Sequence, residues 1–411
     1  MWHSLEDDPE LHEIIAKEER RLDQTLNLIA AENHAPRAIM QAMGSVFNTK
    51  TIEGYPNRRF HAGCIHADEV ERLAVSRCKN LFDAEYANVQ PHSGTSANLA
   101  VYFSVLDPGD PILAMNLPQG GHLSHGHRAS ITSKCFNFEH YGLDLETERI
   151  DYDQVRDLAI KFKPRMVVAG ASAYPRLIDY AAMADIAKES GAYLLTDMAH
   201  IAGLVAAGVI PSPVPHSDFV TFTCYKTMMG GRGGVILSRD ALGHKINQAI
   251  FPGCQGTSPV NSIAAKALIF KIATTPEYLE IQQRTLSNAV CLSGELAQRG
   301  YRIVTGGTDT HQVLLDLSTK RMTGGAAETL LESVGIITNK NVIPSDAQHP
   351  GKVSGVRLGS AAVTARGMGS LEMTRIAELI DTALTNPGNE SVRIQVAADV
   401  VDLCQTFPLG S

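Results

Sequence analysis

The chain lacks long apolar runs, an excess of positive charge and paired cysteines. No apolar stretch is long enough to span a bilayer, and a formal net charge of −8 argues against nucleic acid or an anionic membrane as the main partner. The seven cysteines are odd in number and form no CxxC pair, which favours reduced thiols over a disulfide framework. The first residues are acidic and lack the basic and apolar regions of a signal peptide. We therefore expect a cytoplasmic protein without a membrane or nucleic-acid partner.

What the chain does have is enough length and apolar content for two domains. It has 411 residues, of which 44% are hydrophobic and 19% charged, as in ordinary globular proteins. From about residue 86 to 240, short β-rich runs alternate with helical ones, which predicts an α/β fold with a mainly parallel sheet covered by helices on both faces. We expect an N-terminal helical arm at residues 1–16, a large domain at 17–280 and a small α/β domain at 281–411.

Local patterns outside the alternating region predict three further segments. Apolar residues at helical spacing between residues 8 and 27 predict an amphipathic helix that packs on a partner. The polar segment from there to about residue 63 is typical of a loop over a site. Residues 263–300 predict a long helical stretch that leads into the small domain.

Residues 218–234 combine a buried strand, a lysine and a glycine-rich turn. The apolar, β-rich run ends near Lys226, and a lysine at the end of a buried strand is costly unless its ammonium is paired, neutralised or covalently engaged. The glycines allow the backbone to approach a ligand closely. One hypothesis is that Lys226 forms a Schiff base with pyridoxal phosphate. The alternative is a lysine whose stem is buried while its ammonium reaches solvent.

A pyridoxal phosphate site needs a partner for the pyridine nitrogen and a cradle for the phosphate, and the sequence offers both. Asp197 ends a predicted strand and could pair with the protonated pyridine nitrogen, although a strand-end aspartate also caps helices. Ser93, Gly94 and Thr95 precede a helix and supply hydroxyls and free backbone N–H groups for a phosphate, although ordinary capping uses the same residues.

Three further residues are candidates for the site. His122 lies in a segment with His125 and His127, which favours either ring stacking on the cofactor or a metal cluster; without a carboxylate or cysteine nearby in sequence, we predict no metal site. Arg357, between glycines, is a candidate for binding a substrate carboxylate, or else a surface arginine. Glu53, in the polar loop, is a candidate acid/base, or else a solvated carboxylate.

Several ordered stretches match one known family. They include Glu-Gly-Tyr-Pro at residues 53–56, Gly-Gly-His-Leu at 120–123 and Asp-Met-Ala-His at 197–200. Further matching stretches lie at residues 68–74, 88–94, 169–176, 201–206, 251–253, 306–309 and 339–341. Over residues 26–384 the chain thus resembles the serine hydroxymethyltransferase family.

The resemblance implies a fold-type I pyridoxal phosphate enzyme with a seven-stranded sheet, active as a dimer or dimer of dimers with sites shared between subunits. It implies that Lys226 carries the cofactor, that Asp197 pairs with its pyridine nitrogen and that His122 stacks on its ring. Arg357 would bind the amino-acid carboxylate, and Glu53 would transfer a proton at the β-hydroxyl. The remaining implied contacts are Ser93, Gly94, Thr95, Ser172, His200, Thr223, Thr51, Gly256 and Thr257 for the cofactor, Phe60, His61 and His200 for the substrate, and Leu117, Gly121, Leu123 and Asn341 for folate.

The chain departs from the family pattern around the expected substrate and phosphate. The departures are Ala31 for serine, Thr51 for tyrosine, Phe60 and His61 for two tyrosines, Tyr225 for histidine and Thr257 for glycine. We interpret them as a change of substrate: Phe60 deletes a hydroxyl, and His61 places an imidazole where the family has a phenol.

The activity that the resemblance implies is retro-aldol hydroxymethyl transfer from a β-hydroxy-α-amino acid, with tetrahydrofolate as a possible acceptor. Either serine and glycine or α-methylserine and alanine would be interconverted. The loop at residues 345–352 lacks the aromatic residue that is usual in the family, so a folate-independent aldolase or threonine transaldolase is an alternative. A non-enzymatic, cofactor-binding regulator is a third hypothesis, which the retention of Lys226 and Asp197 disfavours.

Overall fold

The computed structural model describes residues 4–348, 351 and 353–410, and its strands form one large and several small sheets. The strands are β1 (Leu26–Asn27), β2 (Gly54–Tyr55), β3 (Arg58–Arg59), β4 (Tyr86–Asn88), β5 (Pro111–Met115), β6 (Asn137–Tyr141), β7 (Met166–Gly170), β8 (Tyr193–Asp197), β9 (Phe219–Thr223), β10 (Gly234–Ser238), β11 (Arg302–Ile303), β12 (Gln312–Asp316), β13 (Ile336–Ile337), β14 (Asn339–Asn341) and β15 (Gly355–Gly359).

Helices cover these sheets. They are α1 (Pro9–Gln24), α2 (Arg37–Met43), α3 (Ile65–Phe82), α4 (Gly94–Val105), α5 (Ile131–Cys135), α6 (Tyr152–Phe162), α7 (Tyr180–Ser190), α8 (Ala202–Ala206), α9 (Gly243–Gln248), α10 (Val260–Ile272), α11 (Pro276–Gln298), α12 (Gly324–Ser333), α13 (Ala361–Ala365), α14 (Ser370–Thr385) and α15 (Glu390–Thr406). Across the described residues, no helix combines the length and apolar content needed to cross a membrane.

The large sheet confirms the predicted α/β fold. Over the part of the chain described, it has seven strands in the order β4-β10-β9-β8-β7-β5-β6. β10 runs antiparallel to both of its neighbours, and the other pairs are parallel. Because parallel strands end at the same edge, Asp197 at the end of β8 and Thr223 at the end of β9 lie at one edge of the sheet, with Asp197 paired to Thr221. This edge is where the sequence predicts the site.

Both faces of the large sheet are buried, as its apolar strands require. On one face, Val220 and Phe222 of β9 pack with α3, α8 and α10. On the other face, Phe219 packs with residues of α4 and α9. The alternation along β9 follows from the two-residue period of a strand.

A second core lies in the C-terminal part of the chain around the sheet β11-β12-β15-β14. β1 pairs with β13, so Leu26 joins this core. Residue 280, the predicted domain limit, lies within α11, whose Tyr278 packs in the first core and whose Leu292 packs in the second. One helix therefore links the two cores, and the domain limits themselves stay a prediction.

Two local predictions differ from the structure. The predicted helical stretch 263–300 is two helices, α10 and α11, because Thr275 accepts the N–H of Tyr278 and Pro276 starts a new helix at its first position. The predicted loop to residue 63 contains α2 and the hairpin of β2 and β3. In the hairpin, the buried guanidinium of Arg59 pairs with Asp68 and Glu71 of α3, which holds the segment to the core.

The predicted N-terminal helix is present as α1, with Asp8 as its N-cap. Its apolar side chains remain exposed: Leu11, Ile14 and Ile15 are 45%, 56% and 37% accessible. An exposed apolar face of this kind is what a helix that packs on a partner would present.

Candidate active site

Lys226 lies in the turn that follows β9, and its side chain is only 7% exposed. This turn packs closely against residues 93–95. A Cβ at Gly234 would lie 2.2 Å from the carbonyl oxygen of Ser93, so only glycine allows the two segments to meet. The structure therefore brings Lys226 and the predicted phosphate cradle together in one pocket. That pocket is lined by Ser93, Gly94, Thr95, His122, Ala171, Ser172, Asp197, Ala199, His200, Thr223, Tyr225 and Lys226.

The amine of Lys226 has an unusual environment. Burial lowers its pKa to about 8, the charge of Arg357 lowers it as well, and Asp197 opposes both. A lower pKa enlarges the neutral fraction of the amine near neutral pH, and the neutral amine is the form that attacks a carbonyl carbon. The pocket therefore favours the neutral amine, the form that covalent chemistry at Lys226 would require.

Asp197 is held by a buried hydrogen-bond network. Its Oδ2 accepts from Nδ2 of Asn98 at 2.8 Å and lies 3.2 Å from Nε2 of His125, while Oδ1 accepts from the backbone N–H of Ala199 at 3.0 Å. Burial alone would raise the pKa of Asp197, but the hydrogen bond and the charge of His125 outweigh it and hold the pKa below its usual range. The carboxylate is thus a fixed negative charge, as a protonated pyridine nitrogen requires.

His122 presents a neutral ring to the pocket. Burial lowers its pKa to about 4. Its Nδ1 accepts from the backbone N–H of Ser124 at 3.1 Å and lies 2.7 Å from the hydroxyl of the same residue, which orients the ring. A neutral, oriented imidazole is suited to stacking on an aromatic ring.

Of the three histidines at positions 122, 125 and 127, the structure brings two together. Ligand atoms of His122, His125 and Asp197 lie within 4.8 Å of one another, so a distant strand supplies the carboxylate that the local sequence lacks. His127 is half-buried, and its Nδ1 accepts from the backbone N–H of Ala129. Since the facing atoms of His122 and His125 already contact Ser124 and Asp197, the absence of a metal site stays our prediction.

The cradle at the start of α4 has the groups that a phosphate needs. Ser93 caps the helix by accepting the N–H of Ser96 at 3.1 Å, and the first turn begins at Gly94. Among the described residues, Oγ1 of Thr223 is buried without a hydrogen-bond partner. A Cβ at Gly94 would lie 2.8 Å from Cγ2 of Thr223, so the cradle is open only with glycine there. An orphaned hydroxyl beside a helix N-terminus fits a phosphate.

Ser172 and His200 line the pocket, and Arg357 contacts it through Ser172. The guanidinium of Arg357 donates to the carbonyl of Ser172 and to Oδ1 of Asn339. No carboxylate pairs with Arg357 within the described residues, and although burial lowers its pKa to about 10, it is charged at neutral pH. His200 stacks on His311 with ring centroids 5.7 Å apart, and burial depresses its pKa strongly. An unpaired, half-buried guanidinium fits a substrate carboxylate.

Six of the predicted residues form a separate surface group and do not line this pocket. They are Thr51, Glu53, Phe60, His61, Gly256 and Thr257. Phe60 is 75% exposed and rests on Phe251, and a Cβ at Gly256 would lie 3.9 Å from Oε1 of Glu53. The two groups touch through His92, whose Nε2 lies 3.0 Å from the carbonyl oxygen of Thr257.

The residues predicted to contact folate do not line this pocket. Leu117 begins a short turn that packs against residues 344–348, and Leu123 is 53% exposed. Position 121 requires glycine, because a Cβ there would lie 2.2 Å from the carbonyl oxygen of Met115. Asn341 is half-buried. The loop at 345–352 lies partly outside the described residues.

Sequence reasoning did not identify several residues that build the site. Asn98 accepts from Thr221 at 2.6 Å while donating to Asp197, and Asn339 orients Arg357. A lone amide in the apolar helix after the cradle was an available signal for Asn98. His311 stacks on His200, and its Nε2 lies 3.0 Å from the carbonyl oxygen of Ala30. Nothing in the local sequence marked His311 as part of the site.

Comparisons with known proteins agree with this geometry. The family model for serine hydroxymethyltransferase matches residues 5–380. A curated protein from Desulforapulum autotrophicum, named serine hydroxymethyltransferase, is 51% identical over 403 residues, which cover 98% of this chain and 96% of the relative.

Proposed function

The chain belongs to the serine hydroxymethyltransferase family, and from this premise we propose that it transfers a hydroxymethyl group from a β-hydroxy-α-amino acid at the pocket around Lys226. It is a pyridoxal phosphate-dependent hydroxymethyltransferase, in a family that uses tetrahydrofolate as co-substrate. The observation that carries the proposed site is the convergence of Lys226, Asp197, His122 and the cradle at residues 93–95 on one buried pocket.

When bound, pyridoxal phosphate supplies an electron sink that weakens the bond between the α and β carbons of an amino acid. Lys226 would hold its aldehyde carbon, Asp197 would keep its ring nitrogen protonated, and Ser93, Gly94, Thr95 and Thr223 would bind its phosphate. Arg357 would bind the substrate carboxylate and so fix which bond lies in reach. Glu53 would hold the proton of the β-hydroxyl.

The residues that depart from the family pattern favour a substrate bulkier than serine. At Phe60 and His61 the family's two hydroxyls are absent, and Phe60 adds an aromatic face against Phe251. Ala31 removes a hydroxyl, and Tyr225 lines the pocket with the guanidinium of Arg232 4.4 Å from its ring centroid. We propose α-methylserine as the donor, alanine as its product and tetrahydrofolate as the acceptor.

The substrate is tested by incubating the purified enzyme with serine, α-methylserine or threonine, with and without tetrahydrofolate. We expect alanine from α-methylserine, formed at least ~10-fold faster than glycine from serine and only with tetrahydrofolate. If glycine forms from serine faster than alanine forms from α-methylserine, the proposed substrate is wrong and the enzyme is an ordinary serine hydroxymethyltransferase. Cleavage of threonine that is indifferent to tetrahydrofolate would favour the alternative, a folate-independent aldolase or transaldolase.

A second copy of the chain would complete the site. Glu53 is half-buried and Phe60 and His61 are exposed, and all three lie outside the pocket although the reaction needs them near Lys226. The apolar side chains of α1 are also exposed. An isologous dimer would bring the surface group of each subunit to the pocket of the other. We propose a homodimer, or a dimer of dimers, with shared sites.

Mixing two inactive variants tests this sharing. Lys226→Ala and Glu53→Gln are each expected to be inactive, and co-expression in equal amounts is expected to restore about one quarter of the wild-type sites, since half of the dimers are mixed and each carries one intact site. The measurement is activity per subunit of the co-purified mixture.

Mixing Lys226→Ala with Asp197→Asn is the matched control, because both residues line the same pocket and no intact site forms. Equal activity in the two mixtures, or none in the first, would contradict a shared site.

A further inference from the structure

Lys266 is a buried cation without an anionic partner. It lies on α10, is 2% exposed, and its Nζ donates to the carbonyl oxygens of Val89 at 2.7 Å and Pro91 at 3.0 Å. Within the described residues, no carboxylate lies within ion-pair distance of it. Glu71, whose charge acts on Lys266, already binds Arg59 and Gln90. Burying a charge that has only neutral acceptors costs free energy. An anion that binds together with the cofactor would offset this cost.

Among the described residues, the other groups that could bring negative charge to Lys266 are two thiols. The thiols of Cys78 and Cys224 lie in its field, but burial raises the pKa of both, so they are neutral. Burial lowers the pKa of Lys266 to about 8, which leaves it mainly protonated at neutral pH. A Cβ at Gly233 would lie 2.3 Å from Cε of Lys266, so the chain also leaves space for this side chain.

The segment that Lys266 holds leads directly into the phosphate cradle. Pro91 is two residues before Ser93, and its carbonyl also accepts the N–H of Gly234 at 2.9 Å. Between the two carbonyls that Lys266 binds, the carbonyl of Gln90 accepts from the side chains of Gln255 and Ser258. The backbone before the cradle is thus fixed at three successive carbonyls, and its one charged donor is Lys266.

We propose that Lys266 is a positioning residue for the cofactor phosphate, and that its ammonium is the buried counter-charge of that phosphate. The inference rests on the proposed placement of the phosphate at residues 93–95. In a buried, apolar environment a charge acts over a longer distance than in water, so Lys266 need not touch the phosphate to stabilise it. It also fixes the turn from which the cradle's first N–H groups extend.

The test compares two ligands that differ only in the phosphate. Dissociation constants of apoenzyme for pyridoxal phosphate and for pyridoxal are measured by equilibrium dialysis for the wild type, Lys266→Gln and Lys271→Gln. Glutamine keeps hydrogen-bond donors for the turn but removes the charge. We expect Lys266→Gln to raise the dissociation constant of pyridoxal phosphate by ~10- to 100-fold while that of pyridoxal changes by less than ~2-fold. Lys271 is exposed on the same helix, and its replacement is expected to change neither.

Equal weakening of both ligands by Lys266→Gln would assign Lys266 a purely structural role and overturn the proposal, as would unchanged binding of pyridoxal phosphate. Should Lys266→Gln not yield folded apoenzyme, Lys266→Met provides the same comparison with an apolar side chain of similar length. Thr95→Val tests the placement of the phosphate separately, through the preference for pyridoxal phosphate over pyridoxal. If Thr95→Val leaves this preference unchanged, the phosphate does not bind at residues 93–95 and the proposed function is wrong on this point. If Thr95→Val lowers the preference and Lys266→Gln does not, the phosphate site stands and only the proposed role of Lys266 is wrong.

Discussion

Replacing Lys226 by alanine is expected to abolish hydroxymethyl transfer, with a loss of at least ~10⁴-fold in kcat. The variant removes both the amine that bonds to the cofactor and a buried group placed to move protons, and a positioned proton-transfer group alone contributes about 10²–10⁴-fold. The measurements are turnover and retention of cofactor after gel filtration. After borohydride reduction, the wild-type peptide that contains residue 226 is expected to carry the mass of the reduced cofactor.

Two further variants sharpen this result. Lys226→Arg keeps the positive charge but not a nucleophilic amine, and it is expected to be as inactive as alanine. Lys271→Ala removes an exposed lysine from α10 and is expected to keep full activity and cofactor. A Lys226→Ala enzyme with substantial turnover would refute the assignment of the site.

Replacing Asp197 by asparagine is expected to lower kcat by about 10²–10³-fold and to weaken cofactor binding. The change is nearly isosteric but removes the buried negative charge, and breaking a buried charge pair costs about 3–5 kcal/mol. It also removes the charged acceptor of Asn98, whose Nδ2 donates to Oδ2 of Asp197 at 2.8 Å. The measurements are kcat, the dissociation constant of pyridoxal phosphate and the absorbance spectrum of the bound cofactor.

Asp218→Asn is the matched control. Asp218 precedes β9 in the same sheet, accepts the N–H of Leu194 at 2.9 Å and lies 3.5 Å from Arg239. Its replacement is expected to lower the free energy of unfolding without altering the spectrum. If Asp197→Asn lowers only stability and leaves the spectrum unchanged, Asp197 is a structural residue and not the partner of the ring nitrogen.

Much of the fold follows from local sequence. The run that became β9 is apolar on both faces, and such a strand is stable only where both faces are covered. The helix predicted at residues 263–300 was wrong in one respect, because Thr275 and Pro276 start a new helix, and a cap followed by proline outweighs continuous helical spacing.

The sequence pointed to site residues where a single charged side chain stands out from its neighbours. Lys226, Asp197 and Arg357 are charged residues in otherwise apolar or glycine-rich surroundings, and each lies in the pocket or orients its wall. Asn98 and Lys266 were not found, because each acts through hydrogen bonds to residues far away in the chain. Such partners are set by how α4 and α10 pack on the sheet, which spacing does not encode.

By itself, the sequence determined the α/β fold and the family, and it predicted Lys226 as the reactive lysine, since apolar periodicity and the residues flanking Lys226 are local properties of the chain. The tertiary structure decided which side chains share a pocket. It placed Asp197 beside His125, left Arg357 without a carboxylate, and set Glu53, Phe60 and His61 on a separate surface. The physical reason is that burial, pairing and desolvation depend on distances between segments that are remote in sequence, and only the folded chain fixes those distances.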